Sequence, residues 1–122
     1  MEPAEPRTGA LIDWPTLLED MGGDEEILLE IVELFLEYVD DQVEDLGEAL
    51  DAGDPARLDR AAHKLKGSVA QFGYEPARVL AYELEEAGKA GRATGLGDVQ
   101  ARLLGELDRL RGELRRFADG EA

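Results

Sequence analysis

Between Asp24 and Gly53 the apolar residues Leu28, Val32, Phe35, Val39, Val43, Leu46 and Leu50 recur in steps of four and three. A strand would throw alternate side chains to opposite faces, whereas a helix of about 3.6 residues per turn gathers this series onto one. Ile27, Ile31, Leu34 and Tyr38 widen the stripe in its first half, and the other face is almost entirely Asp and Glu. Asp24, Glu25 and Glu26 place carboxylates at the positive end of the helix dipole, and Ala52-Gly53 ends the run. A helix this long and one-sided must lay its stripe against other helices.

The rest of the chain supplies them. Asp13 can cap a short helix carrying Trp14, Leu17 and Leu18, which Met21-Gly22-Gly23 closes and which would lid one end of a bundle. Asp54-Pro55 is a cap followed by proline at the first helical position, opening a third helix with Leu58, Ala61, Ala62, Leu65, Val69 and Phe72 inward. Gly73-Tyr74 is its exit. Pro76 restarts the chain with Ala77, Leu80, Leu84 and Ala87 inward, and this helix ends between Gly88 and Gly91. Asp98 caps a last helix whose Val99, Leu103, Leu107, Leu110, Leu114 and Phe117 again step by threes and fours. No segment alternates with a strand period. The expected fold is all-α: an antiparallel up-down-up-down four-helix bundle with a short N-terminal lid helix. Residues 1–12 are expected as a flexible N-terminal tail, 13–118 as the bundle and 119–122 as a frayed C-terminus.

Composition narrows the function. With 122 residues the chain is one domain, and 13 Lys and Arg against 29 Asp and Glu give a net charge of −16, which repels nucleic acid and anionic membrane surfaces. It has no cysteine and one histidine, His63, so neither a thiolate nor a multi-His metal centre is expected. The start, MEPAEPRTGALID, lacks the basic-then-apolar order of a signal peptide, and no apolar run approaches the roughly 18 residues of a membrane span. A cytoplasmic location is therefore expected. The acidity is uneven: residues 13–59 hold 17 acids and one base, whereas residues 60–92, around His63, hold six bases and four acids.

Taking about 100° per residue from the centre of the Leu58/Ala62/Leu65/Val69 stripe, His63 falls at about 140° and Gly67 at about 180°, both toward water. Asp59 lies a turn before the histidine and Lys66 roughly a turn after it on that side, while Lys64 points elsewhere. Glycine inside a helix costs roughly 1 kcal/mol relative to alanine. At Gly67 it either lets a partner approach the imidazole or is a tolerated surface residue or kink.

His63-Lys64-Leu65-Lys66-Gly67-Ser68 followed by Gly73 resembles the H-x-L-K-G-S…G signature of histidine-containing phosphotransfer (HPt) domains. The likeness extends through the GGDEE entry to the long helix, the A-L-x-x-G-D-x-x-x-L approach to the motif and the L-E-x-A after it, leaving out only the N-terminal tail and the last few residues. It departs from the commonest pattern at Val69 and at Gly73-Tyr74, where many members have a second small residue and Gly-Ala. The resemblance implies a four-helix bundle that carries a phosphoryl group on His63 and exchanges it with the aspartate of a response-regulator receiver domain, in either direction. A sensor or hybrid histidine kinase would be the other partner, and magnesium would be held by the receiver, leaving this chain with no cofactor of its own. An imidazole suits that task, since its ordinary pKa of about 6.5 leaves it mostly an unprotonated nucleophile at neutral pH.

By the same resemblance Lys66 would stabilise phosphoryl charge and Gly67 would leave room for the regulator, while Glu85, on the next helix, would orient the imidazole through its other ring nitrogen. Lys89, a turn beyond Glu85, either pairs with it or adds positive potential. Ser68 points away and back-bonds to its helix or contacts a neighbouring one. Asp59, Lys64, Gly67, Ala70, Arg78, Tyr82 and Lys89 make up the expected partner surface of a monomer. The alternative is an HPt-like scaffold that binds regulators without being phosphorylated. A kinase would need a nucleotide site, and the glycines of residues 91–97 form an interhelical linker, not a phosphate loop. Both a free-standing shuttle and an excised kinase domain fit the chain.

Overall fold

The computed structural model describes residues 11–120, which form five α-helices and, among the described residues, no strand: α1 (Trp14–Asp20), α2 (Glu25–Ala52), α3 (Pro55–Ala70), α4 (Glu75–Lys89) and α5 (Gly97–Ala118). The starts at Asp13 and Asp54 carry the expected side-chain caps, and Asp24, expected only as a charge at the helix dipole, caps its helix too. Asp13 accepts from the Thr16 amide, Asp24 from those of Glu26 and Ile27, and Asp54 from that of Arg57. Gly53 closes α2 at φ 62°, in the left-handed region, which lets α3 begin two residues later.

The other two starts differ from expectation. α4 begins at Glu75 with Tyr74 at its cap, and α5 at Gly97 with Leu96 there; neither side chain caps a helix amide, and Asp98 sits in the first turn as a charge. Tyr74 and Leu96 are both buried in the core, so apolar anchoring fixes these starts in place of a polar cap.

The stripes meet in one core. α2 packs on α3 and α5, α4 packs on α3 and α5, and α1 rests on α2. Leu28, Val32, Phe35, Val39 and Leu46 of α2 face Leu58, Leu65, Leu84, Leu103, Leu107, Leu110 and Leu114, all buried, with the Phe35 and Phe72 rings edge to face at 5.2 Å. The widened half of the α2 stripe is a correction: Ile27, Leu34 and Tyr38 are exposed, and only Ile31 is partly buried. The exposed three each precede a core residue, Leu28, Phe35 or Val39, and are turned about 100° away from it.

α1 closes the end of the bundle where α5 finishes. The Trp14 ring stacks on Phe117 at 4.3 Å and 8°, its indole N–H donates to Glu113 Oε2 at 2.7 Å, and Leu17 is buried. The expected tail lies outside the described residues over 1–10; at its end Ile12 is buried in the core, so the bundle begins before Asp13. At the other end α5 stops at Ala118, and residues 121–122 lie outside the described range.

Candidate functional site

His63 stands in the middle of α3 with its side chain 69% exposed, and α4 brings Glu85, 2% exposed, beneath it. Their contact is a 2.7 Å hydrogen bond between His63 Nδ1 and Glu85 Oε2. A carboxylate left alone at that depth would be costly. Here Lys89 Nζ donates to the same Oε2 at 2.9 Å, and Lys66 Nζ lies 2.7 Å from Oε1. Burial pushes the Glu85 carboxyl up, but the contacts with Lys66, Lys89 and His63 outweigh it and hold the group down at about 2. Glu85 is thus an ionised acceptor, and the proton of the shared hydrogen bond belongs to His63 Nδ1. In the Nδ1–H tautomer the Nε2 lone pair is left on an exposed side chain.

The flanking groups tie the cluster to both helices. Lys89 also reaches Asp59 on α3 at 3.4 Å, and the Glu85 hydrogen bond raises the Lys89 pKa despite partial desolvation. Lys66 lies over the Tyr82 ring at 5.2 Å from its centroid, a cation–π contact that, with Glu85, fixes its ammonium. Gly67 is exposed, and a Cβ built there would meet nothing within 4 Å. The space beside the histidine is open.

His63, Lys66, Glu85, Lys89, Asp59 and Tyr82 are therefore brought together. Lys89 realises the ion pair with Glu85 and adds a second across the helices. Lys66 has its ammonium against Glu85, a placement that its azimuth on α3 did not disclose. The remaining expected surface residues stand apart. Lys64 is exposed and its carbonyl accepts from the Ser68 hydroxyl at 3.2 Å, the back-bond foreseen for that serine. Ala70 is exposed at the last residue of α3, and Arg78 is bound to Glu75 by two 2.7 Å hydrogen bonds that raise its pKa.

Gly88 was missed. α4 ends at Lys89, within the expected range of Gly88 to Gly91, but Gly88 was read only as a helix-ending glycine, and a Cβ there would lie 2.7 Å from both the Asp59 amide nitrogen and the Pro55 carbonyl oxygen. The available signal was a row of small residues, Ala77, Ala81 and Gly88, on one flank of a helix. Such a row permits close helix approach.

The family model of the Hpt domain matches residues 30–113, well over half of the chain. Comparisons with curated proteins and with solved structures give no significant match. The matched span contains all of α3 and α4, and with them the exposed imidazole and the buried carboxylate beneath it. This chain belongs to the Hpt domain family.

Proposed function

We propose that His63 is the phosphoryl carrier of a phosphorelay, accepting the group on Nε2 from a receiver-domain aspartyl phosphate and returning it in the reverse step. The observation that carries this is the 2.7 Å hydrogen bond from an exposed imidazole to a buried, ionised Glu85. The Nε2 lone pair forms the N–P bond as the P–O bond to the receiver's carboxylate breaks, and the carboxylate leaves with that electron pair. No proton must move, because Nδ1 keeps its own and Nε2 had none. Positive charge develops on the ring as the bond forms, and the Glu85 carboxylate is already placed to stabilise it.

Lys66 and Lys89 add positive potential beside the incoming phosphoryl oxygens, and Gly67 gives a regulator access. Asp59, Lys64, Ala70, Arg78 and Tyr82 complete the docking face, for a receiver in one encounter and a sensor or hybrid kinase in another. Two registers support an antiparallel up-down-up-down topology. Asp59 adjoins Gly88 while His63 meets Glu85, and Gly47 adjoins Gln100 while Asp40 pairs with Arg111, so numbers rise on one helix as they fall on its neighbour. The proposed action is that of a cytoplasmic monomer; among the described residues no helix is long and apolar enough to cross a membrane.

The test is incubation with a receiver domain carrying labelled phosphate. Label should reach the wild-type chain and be absent from His63→Gln. Equal labelling of the variant would overturn the assignment, and binding without transfer by the wild type would favour a scaffold.

A further inference from the structure

We infer that Gly88 is a positioning residue for His63: by letting α4 touch the backbone of α3, it sets the hydrogen-bond distance between Glu85 and the imidazole. This role rests on the phosphotransfer function proposed above and names a determinant of it outside the reacting groups.

The crowding at Gly88 is against main chain. A Cβ would stand 2.7 Å from Asp59 N, 2.7 Å from Pro55 O and 3.0 Å from Asp59 Cα, where ordinary contact begins at 3.4 Å. These atoms belong to the first turns of α3 and cannot rotate away as a side chain would. A methyl group is accommodated only if the two helices separate or slide by several tenths of an ångström. The contact lies one rung from the site, since Asp59 is four residues before His63 and Gly88 three after Glu85. The cross-helix bonds on either side of it are short-range: His63 to Glu85 at 2.7 Å and Lys89 to Asp59 at 3.4 Å, the latter near the limit of a hydrogen bond. A displacement of that size at the contact weakens both.

Helical glycines elsewhere in the bundle, in α3 and α5, make no such contact. Gly67 and Gly105 face open space, with no heavy atom within 4 Å of a built Cβ. Alanine is the better helix former, so at Gly88 propensity favours the substitution and only the α3 contact opposes it.

The experiment compares Gly88→Ala with Gly105→Ala, which controls for propensity, and with Leu107→Ala, a core variant remote from His63 used at matched folded fraction. The primary readout is the nitrogen NMR spectrum of the His63 ring, which needs no partner. Wild type, Gly105→Ala and Leu107→Ala should show the Nδ1–H tautomer, while Gly88→Ala should show a mixture of tautomers and transfer phosphate about tenfold more slowly, as expected for a sub-ångström misplacement. An unchanged ring spectrum in folded Gly88→Ala, or an equal change in Leu107→Ala, would overturn the proposal. So would a Gly88→Ala chain with no folded population, because Gly88 would then be a packing residue. A tautomer change in a protein whose wild type takes up no phosphate would uphold the positioning role and refute the phosphorelay function.

Discussion

Among the described residues two carboxylates are buried, and they do different work. Glu85, 2% exposed, receives the imidazole of His63 and the ammonium of Lys89 and faces Lys66; Glu113, 3% exposed, receives the indole N–H of Trp14 and the guanidinium of Arg116. Both satisfy the rule that a buried charge must be paired and hydrogen-bonded. The difference lies in the donor. An indole N–H has no second nitrogen to offer, and the Trp14 ring is stacked on Phe117, so Glu113 locks the lid helix to α5. The imidazole gives one nitrogen to Glu85 and has a second, the one proposed to take the phosphoryl group, on a side chain that is mostly exposed. A buried carboxylate is thus no mark of a site until its partner is both accessible and nucleophilic.

Exchanging the two perturbations breaks or upholds this comparison with the largest effects. Glu85→Ala should slow phosphoryl transfer by about tenfold or more through loss of orientation and charge stabilisation, whereas Glu113→Ala should leave the rate within about twofold of wild type. Glu113→Ala should instead lower stability by about 1 kcal/mol, the cost of leaving the partly buried Trp14 indole N–H without its acceptor, read by thermal melting. Equal rate losses in the two variants would dissolve the distinction. Gly67→Arg should come next, slowing transfer by steric block while leaving the far-ultraviolet circular dichroism of a helical bundle intact. Transfer at the wild-type rate would show that the open space beside His63 is not used.

A pH titration sharpens the contrast further. Glu85 is held down at about 2 in the folded chain against an ordinary value of 4.5, so its ionised form stabilises the fold above pH 4.5, and that contribution is lost as the pH falls through about 2. The melting temperature of wild type should exceed that of Glu85→Gln at pH 7, and the gap should close between pH 4.5 and 2. A constant gap would mean that the carboxylate's charge is not what holds the cluster. The smallest effect is expected at Tyr74, which burial and a hydrogen bond to Glu106 push up to about 12. Unfolded tyrosine ionises near pH 10, so this residue's stabilisation is present below pH 10 and declines toward pH 12. Tyr74→Phe should cost about 1 kcal/mol at pH 7 by chemical denaturation, and should flatten that alkaline decline.

Much of this architecture was legible because its signals are local. Stripe spacing, the caps at Asp13 and Asp54 and the acidic start at Asp24 lie within a few residues of the structure they specify. The width of a buried face is not local. Leu34 and Tyr38 belong to the α2 stripe by spacing, yet the neighbouring helices cover only the Phe35–Val39 side. Tyr74 and Leu96 start helices by being buried at the core, a tertiary cause that no capping pattern announces.

The site divides the same way. The His63–Glu85 pair was expected from the motif resemblance, and the exposure of Gly67 from its azimuth. The attachment of Lys66 to Glu85 depends on the separation of α3 and α4, and so does the role of Gly88. In a helix pair that separation is a product of packing, and the same glycine letter stands for open space at 67 and for backbone contact at 88.

The most direct test of the central claim is where the phosphoryl group attaches. Chain labelled with nitrogen-15 at histidine, loaded from a phosphorylated receiver domain, should show phosphorus coupled to His63 Nε2 and a proton retained on Nδ1. Phosphorus on Nδ1, or on any other residue, would contradict the assignment of Nδ1 to Glu85 and of Nε2 to phosphoryl transfer.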